Sequence, residues 1–195
     1  MKHLENLDFN EFIDQHTLLY GETDTNKTYL TSRFVQFLLE SKGVPPKTIS
    51  ILDFAPKLTI FKNLKVGGKI QDFYEKSILC NNILFEGEII PPRLKSSNKV
   101  ELYQNAYYNF LNITKLLQIF EKNPTPILII NDISLYLHLG SINLLMRIIE
   151  KSDTFLGNTY YGTSIKRDFA SKFSLREKLK VESLMRRVDK YYFTG

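Results

Sequence analysis

Short apolar runs with little polar alternation recur along the chain at residues 16–20 (HTLLY), 49–56 (ISILDFAP), 127–130 (ILII), 154–162 (TFLGNTYYG) and 190–194 (KYYFT). Such runs suit strands buried on both faces of a parallel sheet. Between them the apolar positions fall at helical spacing. Residues 3–14 set Leu4, Leu7, Phe9, Phe12 and Ile13 near one face, which predicts a leading helix. Leu30, Phe34, Val35, Phe37 and Leu38 predict another, stopped by Gly-Val-Pro-Pro at 43–46. Residues 99–122 form the clearest helix, with Val100, Tyr103, Tyr107, Phe110, Leu111, Leu117 and Phe120 expected inward and Asn-Pro-Thr-Pro as its stop. A turn at Gly140 and an N-cap at Ser141 open a further helix with Ile142, Leu145, Met146 and Ile149 inward. Near the end, Ser174 and Glu177 read as a capping box that divides the region into two helices. Residues 57–98 are the least legible: two short strands are expected near 81–82 and 86–88, and the stretch reads as an insertion. Strands alternating with helices predict an α/β fold with a mostly parallel central sheet, one domain spanning 1–195.

Composition narrows the class. At 195 residues and 43% hydrophobic content the chain can bury a continuous core. No run reaches membrane-spanning length and the first residues hold no apolar signal region, so a cytoplasmic protein without membrane contact is expected. A lone cysteine, Cys80, fits a reducing compartment and reads as a small buried hydrophobe. The formal charge of +5 is uneven: residues 166–190 carry nine basic side chains against four acidic ones, the whole excess. That stretch is either the solvated face of a terminal helix or a surface for nucleic acid or an acidic protein partner.

The first apolar run breaks into Gly21-Glu22-Thr23-Asp24-Thr25-Asn26-Lys27-Thr28. This matches the phosphate-loop pattern GxxxxGK[ST] except that Asn26 stands for the second glycine. A turn between strand and helix gathers backbone N–H groups into one concavity, and the helix N-terminus adds positive field. Asn26 keeps the loop feasible because asparagine enters the left-handed region more readily than other side chains. Asp24 puts a negative charge near the phosphates. Lys27 is the residue to reach the terminal phosphates, and the Thr28 hydroxyl is a ligand for Mg²⁺.

Asp53 ends the second apolar run, where ligands sit in open α/β sheets. It suits orienting a substrate hydroxyl, acting as a base, holding Mg²⁺ through water, or capping the next turn. The third run ends in Asn131-Asp132, an arrangement that delivers a carboxylate to a metal site. Ile133 follows, so the sequence lacks the adjacent glutamate of fast autonomous hydrolases. Arg93, beside Lys95 in a stiff Pro-Pro turn, is either an exposed loop residue or a phosphate ligand with a bidentate fork. His138 is a phosphate contact, a proton-transfer group or structural, and Asn158, Thr159 and Tyr160 fall where residues sensing a terminal phosphate would lie.

In order and content these elements resemble the P-loop NTPase core, a three-layer α/β/α fold, across most of the chain outside 57–98. Residues 21–43 followed by 49–56 further resemble the opening of the polynucleotide 5′-hydroxyl kinases of RNA processing, whose loops carry Thr-Asp where Thr23-Asp24 stand here. The resemblance implies that residues 21–28 cradle the phosphates of ATP or GTP, and that Thr28 and Asp132 hold Mg²⁺. It implies that Lys27, Asp53 and Arg93 act in catalysis, Asp53 on the accepting hydroxyl and Arg93 on transition-state charge. The activity expected is slow NTP hydrolysis or phosphoryl transfer, with nucleic acid as one acceptor. The alternative is an eroded scaffold that binds a partner without turnover.

Overall fold

In the computed structural model, which describes residues 7–195 except 62 and 166, the apolar runs become strands of one sheet. The strands are β1 (His16–Gly21), β2 (Ile49–Asp53), β3 (Thr59–Phe61), β4 (Leu64–Val66), β5 (Asn81–Asn82), β6 (Ile127–Asn131), β7 (Thr154–Tyr160) and β8 (Lys190–Phe193). Six pair in the order β5-β2-β6-β7-β1-β8, each pairing parallel, while β3 and β4 form a separate antiparallel hairpin. Neighbouring residues of each central strand serve opposite cores. Leu18, Leu52, Leu128, Ile130 and Phe155 join one cluster, and Leu19, Ile51, Ile129 and Leu156 the other. Two-sided burial is why these segments are apolar throughout. A slip of one residue would move each side chain to the wrong core, so register is strongly specified.

The helices are α1 (Lys27–Gln36), α2 (Ile70–Phe73), α3 (Pro92–Lys95), α4 (Lys99–Lys122), α5 (Ser134–Leu137), α6 (Ile142–Ile149) and α7 (Ser171–Met185). Side chains of α1 and α2 pack on one face of the sheet; those of α4, α5, α6 and α7 pack on the other. The fold is therefore α/β, with a parallel sheet flanked by helices on both faces. Because all six strands run the same way, the loops after β1, β2, β6 and β7 emerge at one end. Pairing of Gly21 with Tyr160 and of Asp53 with Asn131 sets the depths of those exits.

Several elements differ from expectation. The leading segment is a 3-10 turn, Phe9–Phe12, and residues 3–6 of the expected helix lie outside the described residues. Asp8 caps that turn through Asn10 N at 2.9 Å, and Asp14 at φ 56° redirects the chain into β1. Helix α4 is present, but its inward stripe is Leu102, Ala106, Asn109, Ile113, Leu117 and Phe120. Val100, Tyr107 and Leu111 are instead 69%, 55% and 43% exposed. The aromatic residues misled the phase, because small Ala106 and polar Asn109 occupy the tight face. Asn109 earns its burial by exchanging hydrogen bonds with the Ile90 backbone, at 3.0 and 2.6 Å.

The terminal region is one helix rather than two, since Ser174 and Glu177 lie inside α7 and both turn to Arg93. The stretch 57–98 holds the β3–β4 hairpin, α2, a 3-10 turn, β5 and α3; residues 86–88 form no strand. Cys80 is buried, and burial pushes its thiol up to about 11. Among the described residues no helix is long and apolar enough to cross a membrane.

Candidate functional site

A cavity of about 220 Å³ lies at the end of the sheet where the parallel strands exit. Its lining includes Thr23 to Tyr29 of the loop after β1, Lys65 and Val66 of β4, Arg93 of α3, Asp132, His138 and Tyr160. Of the residues singled out in the sequence, Lys27, Thr28, Asp132 and Arg93 meet here. Gly21, Glu22 and Asp53 do not line it.

The loop takes its shape from two left-handed residues, Asp24 at φ 59° and Asn26 at φ 61°, the latter immediately before α1. Gly21 is required for a different reason: a Cβ there would lie 2.6 Å from Thr194 Oγ1 and 2.7 Å from the Gly195 carbonyl. The end of β8 thus braces the loop from behind. Glu22 N donates to Gly195 O at 2.7 Å, and the Thr25 and Thr194 hydroxyls bond at 2.7 Å. The Glu22 side chain turns away from the cavity and accepts hydrogen bonds from the Thr163 and Ser164 amides and the Ser164 hydroxyl. Burial works against its charge, but these donors hold its carboxyl below the usual range.

The loop wraps around Lys27. Its Nζ donates to Gly21 O at 3.1 Å, to Glu22 O, and to Thr25 Oγ1 at 3.1 Å. Burial lowers the ammonium to about 8, against the opposing pull of Asp132, Glu22 and Asp24. Thr28 donates at 3.2 Å to Asn131 Oδ1, so the side chain beneath it is the amide at the end of β6 and not Asp132. Asn131 is the hub of a buried network. Its Oδ1 also accepts from Asn158 at 2.8 Å, and its Nδ2 donates to Asp53 Oδ1 at 2.8 Å and Gly68 O at 3.1 Å. Asn158 in turn accepts from the Asp132 amide at 3.0 Å and donates to Thr31 at 2.9 Å. The exits of β2, β6 and β7 and the first turns of α1 are tied into this set.

Asp53 is held by the protein and does not line the cavity. Besides Asn131, it accepts from the Ala55 amide at 3.2 Å and the Ile70 amide at 2.8 Å, with Lys69 Nζ at 3.7 Å. Both carboxylate oxygens are committed to the protein, and of the roles open to Asp53 the structure fits the anchoring one. Asp132 differs. It holds φ 59°, accepts a hydrogen bond from the Ser134 hydroxyl, and lines the cavity. Burial and the nearby Glu177 raise its carboxyl above the usual range.

Arg93 is 6% exposed, which removes the exposed-loop alternative. Its guanidinium meets Glu177 through Nη1 at 2.8 Å and Nη2 at 3.1 Å and lies 4.8 Å from the Tyr160 ring centroid. Glu177 is buried, which disfavours its charge, yet Arg93 and His138 outweigh that and lower its carboxyl. His138 packs on Phe173 at 4.5 Å with Nε2 3.5 Å from Glu177 Oε2. Sequence reasoning missed Glu177 and Asn131. Both carried a signal: Glu177 shares the inward stripe of α7 with Phe173, Val181 and Leu184, and Asn131 is the one polar residue closing a buried run.

Of the basic stretch 166–190, Lys166 lies outside the described residues and several others serve the fold. Lys180 caps the Leu137 and Gly140 carbonyls at 2.9 and 2.8 Å, Arg167 donates to Arg93 O at 3.1 Å, and Arg187 donates to Asn143 at 2.7 Å. Among the described residues no three His, Cys, Asp or Glu side chains form a metal cluster. A divalent ion that uses one or two protein oxygens and takes its remaining ligands from phosphate and water fits this donor set. The Thr28 hydroxyl spends its proton on Asn131, which leaves its lone pairs for such an ion. No protein-family model matches the chain, and no curated protein matches it.

Proposed function

We propose that the chain binds a magnesium-bound nucleoside triphosphate, ATP or GTP, with its phosphates over residues 23–28, and that it works as a phosphotransferase or slow NTPase on a P-loop core. The observation that carries this reading is the meeting of Lys27, Thr28, Asp132 and Arg93 in one cavity beside a loop whose Asn26 opens α1 in the left-handed conformation. Backbone N–H groups at that helix start face an anion with favourable field. Lys27 trades contacts with its own loop carbonyls for phosphate oxygens. Thr28 and Asp132 would hold Mg²⁺, which screens phosphate charge and polarises the terminal phosphoryl group. Arg93 adds a fixed cation, partly offset by Glu177.

The alternative, a scaffold that binds nucleotide or an anionic partner such as nucleic acid without turnover, draws on Asn131. An uncharged amide beneath Thr28 gives the metal site less negative charge than a carboxylate would. Titration calorimetry with Mg-ATP and Mg-GTP tests the shared claim. Saturable binding by the wild-type protein, weakened at least about tenfold in Lys27→Ala, is expected; that loss corresponds to one charge-assisted contact of about 1.4 kcal/mol or more. Equal affinities for the two proteins would contradict it.

A further inference from the structure

Beyond the phosphate loop the cavity has a second wall, formed by His138, Tyr160 and Arg93, with Glu177 paired to Arg93 behind it. His138 is 3% exposed, and neither ring nitrogen has a hydrogen-bond partner among the described residues. The Glu177 carboxylate stands off at 3.5 Å. A buried imidazole with no ring hydrogen bond is an exception in folded proteins and asks for a ligand group or a water. It also lines the cavity, where a ligand would supply that partner. Charge defines the ligand further. Lys27, Lys65 and Arg93 line the cavity against Asp24 and Asp132, and Glu177 already neutralises Arg93. Once a triphosphate engages Lys27, a second anion would meet a compensated arginine and, at the exposed rim, Lys65 alone. An uncharged molecule meets no such penalty.

We infer that this wall is the subsite for the second substrate of a phosphoryl transfer, a small uncharged hydroxyl compound, with His138 as the base that receives its hydroxyl proton. The inference rests on the nucleotide reading above. The acceptor oxygen forms a bond to the γ-phosphorus while the bond from that phosphorus to the β–γ bridging oxygen breaks. The electron pair leaves with the nucleoside diphosphate, and the hydroxyl proton passes to an imidazole nitrogen of His138. Ionised Glu177 stabilises the imidazolium, and Arg93 keeps Glu177 ionised within the core. Glu177 is thus a positioning residue, acting through His138.

The test incubates the protein and Mg-ATP with glycerol, ribose and a nucleoside, and separately with their phosphorylated counterparts. Diphosphate formation and product mass are followed. Transfer to an uncharged compound above the water background, with the phosphorylated counterpart a poorer acceptor, is expected. His138→Gln should lower transfer by about 100-fold or more while Mg-ATP raises its melting temperature as in the wild type. Phosphorylated acceptors used as well as uncharged ones, release of free phosphate alone, or wild-type transfer by His138→Gln would each overturn the assignment. The acceptor comparison needs only the wild-type protein, so it decides even where the variant does not fold. Absence of any Mg-ATP shift in the wild type refutes the nucleotide reading itself, and this inference falls with it.

Discussion

Three non-glycine residues around the cavity, Asp24, Asn26 and Asp132, hold φ at 59°, 61° and 59°. Left-handed backbone costs a side chain about 1–2 kcal/mol, less for Asn and Asp, and its concentration at one site is typical of functional loops. Asn26→Ala should therefore lower stability to urea by about 1 kcal/mol, whereas Asn26→Gly should leave it unchanged or raise it. This feature was legible in the sequence, because the motif demanded a glycine and only Asn or Asp approaches one. Lys27 supplies a pH test. Burial disfavours its charge and lowers the ammonium to about 8 in the free protein. A bound polyphosphate favours the charged form. Affinity for nucleotide should then hold below pH 8 and fall above it, by up to about tenfold per pH unit as one proton must be taken up on binding. Lys27→Arg, which stays charged, should flatten the profile. A wild-type profile level from pH 7 to 9.5 would contradict the assignment.

At the scale of elements, α7 is held to the cavity wall by one buried ion pair, Arg93 with Glu177. Arg93→Met strands a buried carboxylate and should cost about 3–5 kcal/mol in denaturant unfolding. Arg93→Met with Glu177→Leu should recover most of that loss, since an apolar pair carries no stranded charge. Ser174→Ala should cost little, because Ser174 sits inside α7, caps nothing and gives up only a long 3.4 Å hydrogen bond from Arg93. The capping-box pattern misread this segment for a physical reason: Ser174 and Glu177 answer to Arg93, more than eighty positions away, and such a partner is invisible to local patterns. Helix α4 teaches a related lesson. Its existence was plain from periodicity, but its phase was not, because large aromatics can lie along a partly exposed face. Leu117→Ala should cost about 2–5 kcal/mol, while Leu111→Ser, at 43% exposure, should cost far less.

For the whole molecule, the parallel order β5-β2-β6-β7-β1-β8 inserts the late strands β6 and β7 between β1 and β2. That arrangement brings the loop after β1 beside Asp132 and Asn158, more than a hundred positions downstream. The strands, the α/β class and the meeting of Lys27, Thr28 and Asp132 could be anticipated, because buried parallel strands announce themselves by continuous apolar runs and ligand sites gather at their carboxyl ends. The anchoring of Asp53, the hub at Asn131 and the buried Arg93–Glu177–His138 wall could not, since each depends on contacts between distant segments. In the proposed complex the phosphates sit on the amides of the loop. The most direct measurement is amide chemical-shift mapping by NMR on titration with Mg-ATP. The largest changes should fall on residues 23–28, with Asp132 and His138 responding and with no such changes in Lys27→Ala. Absent shifts, or shifts centred elsewhere on the molecule, would contradict the proposed complex.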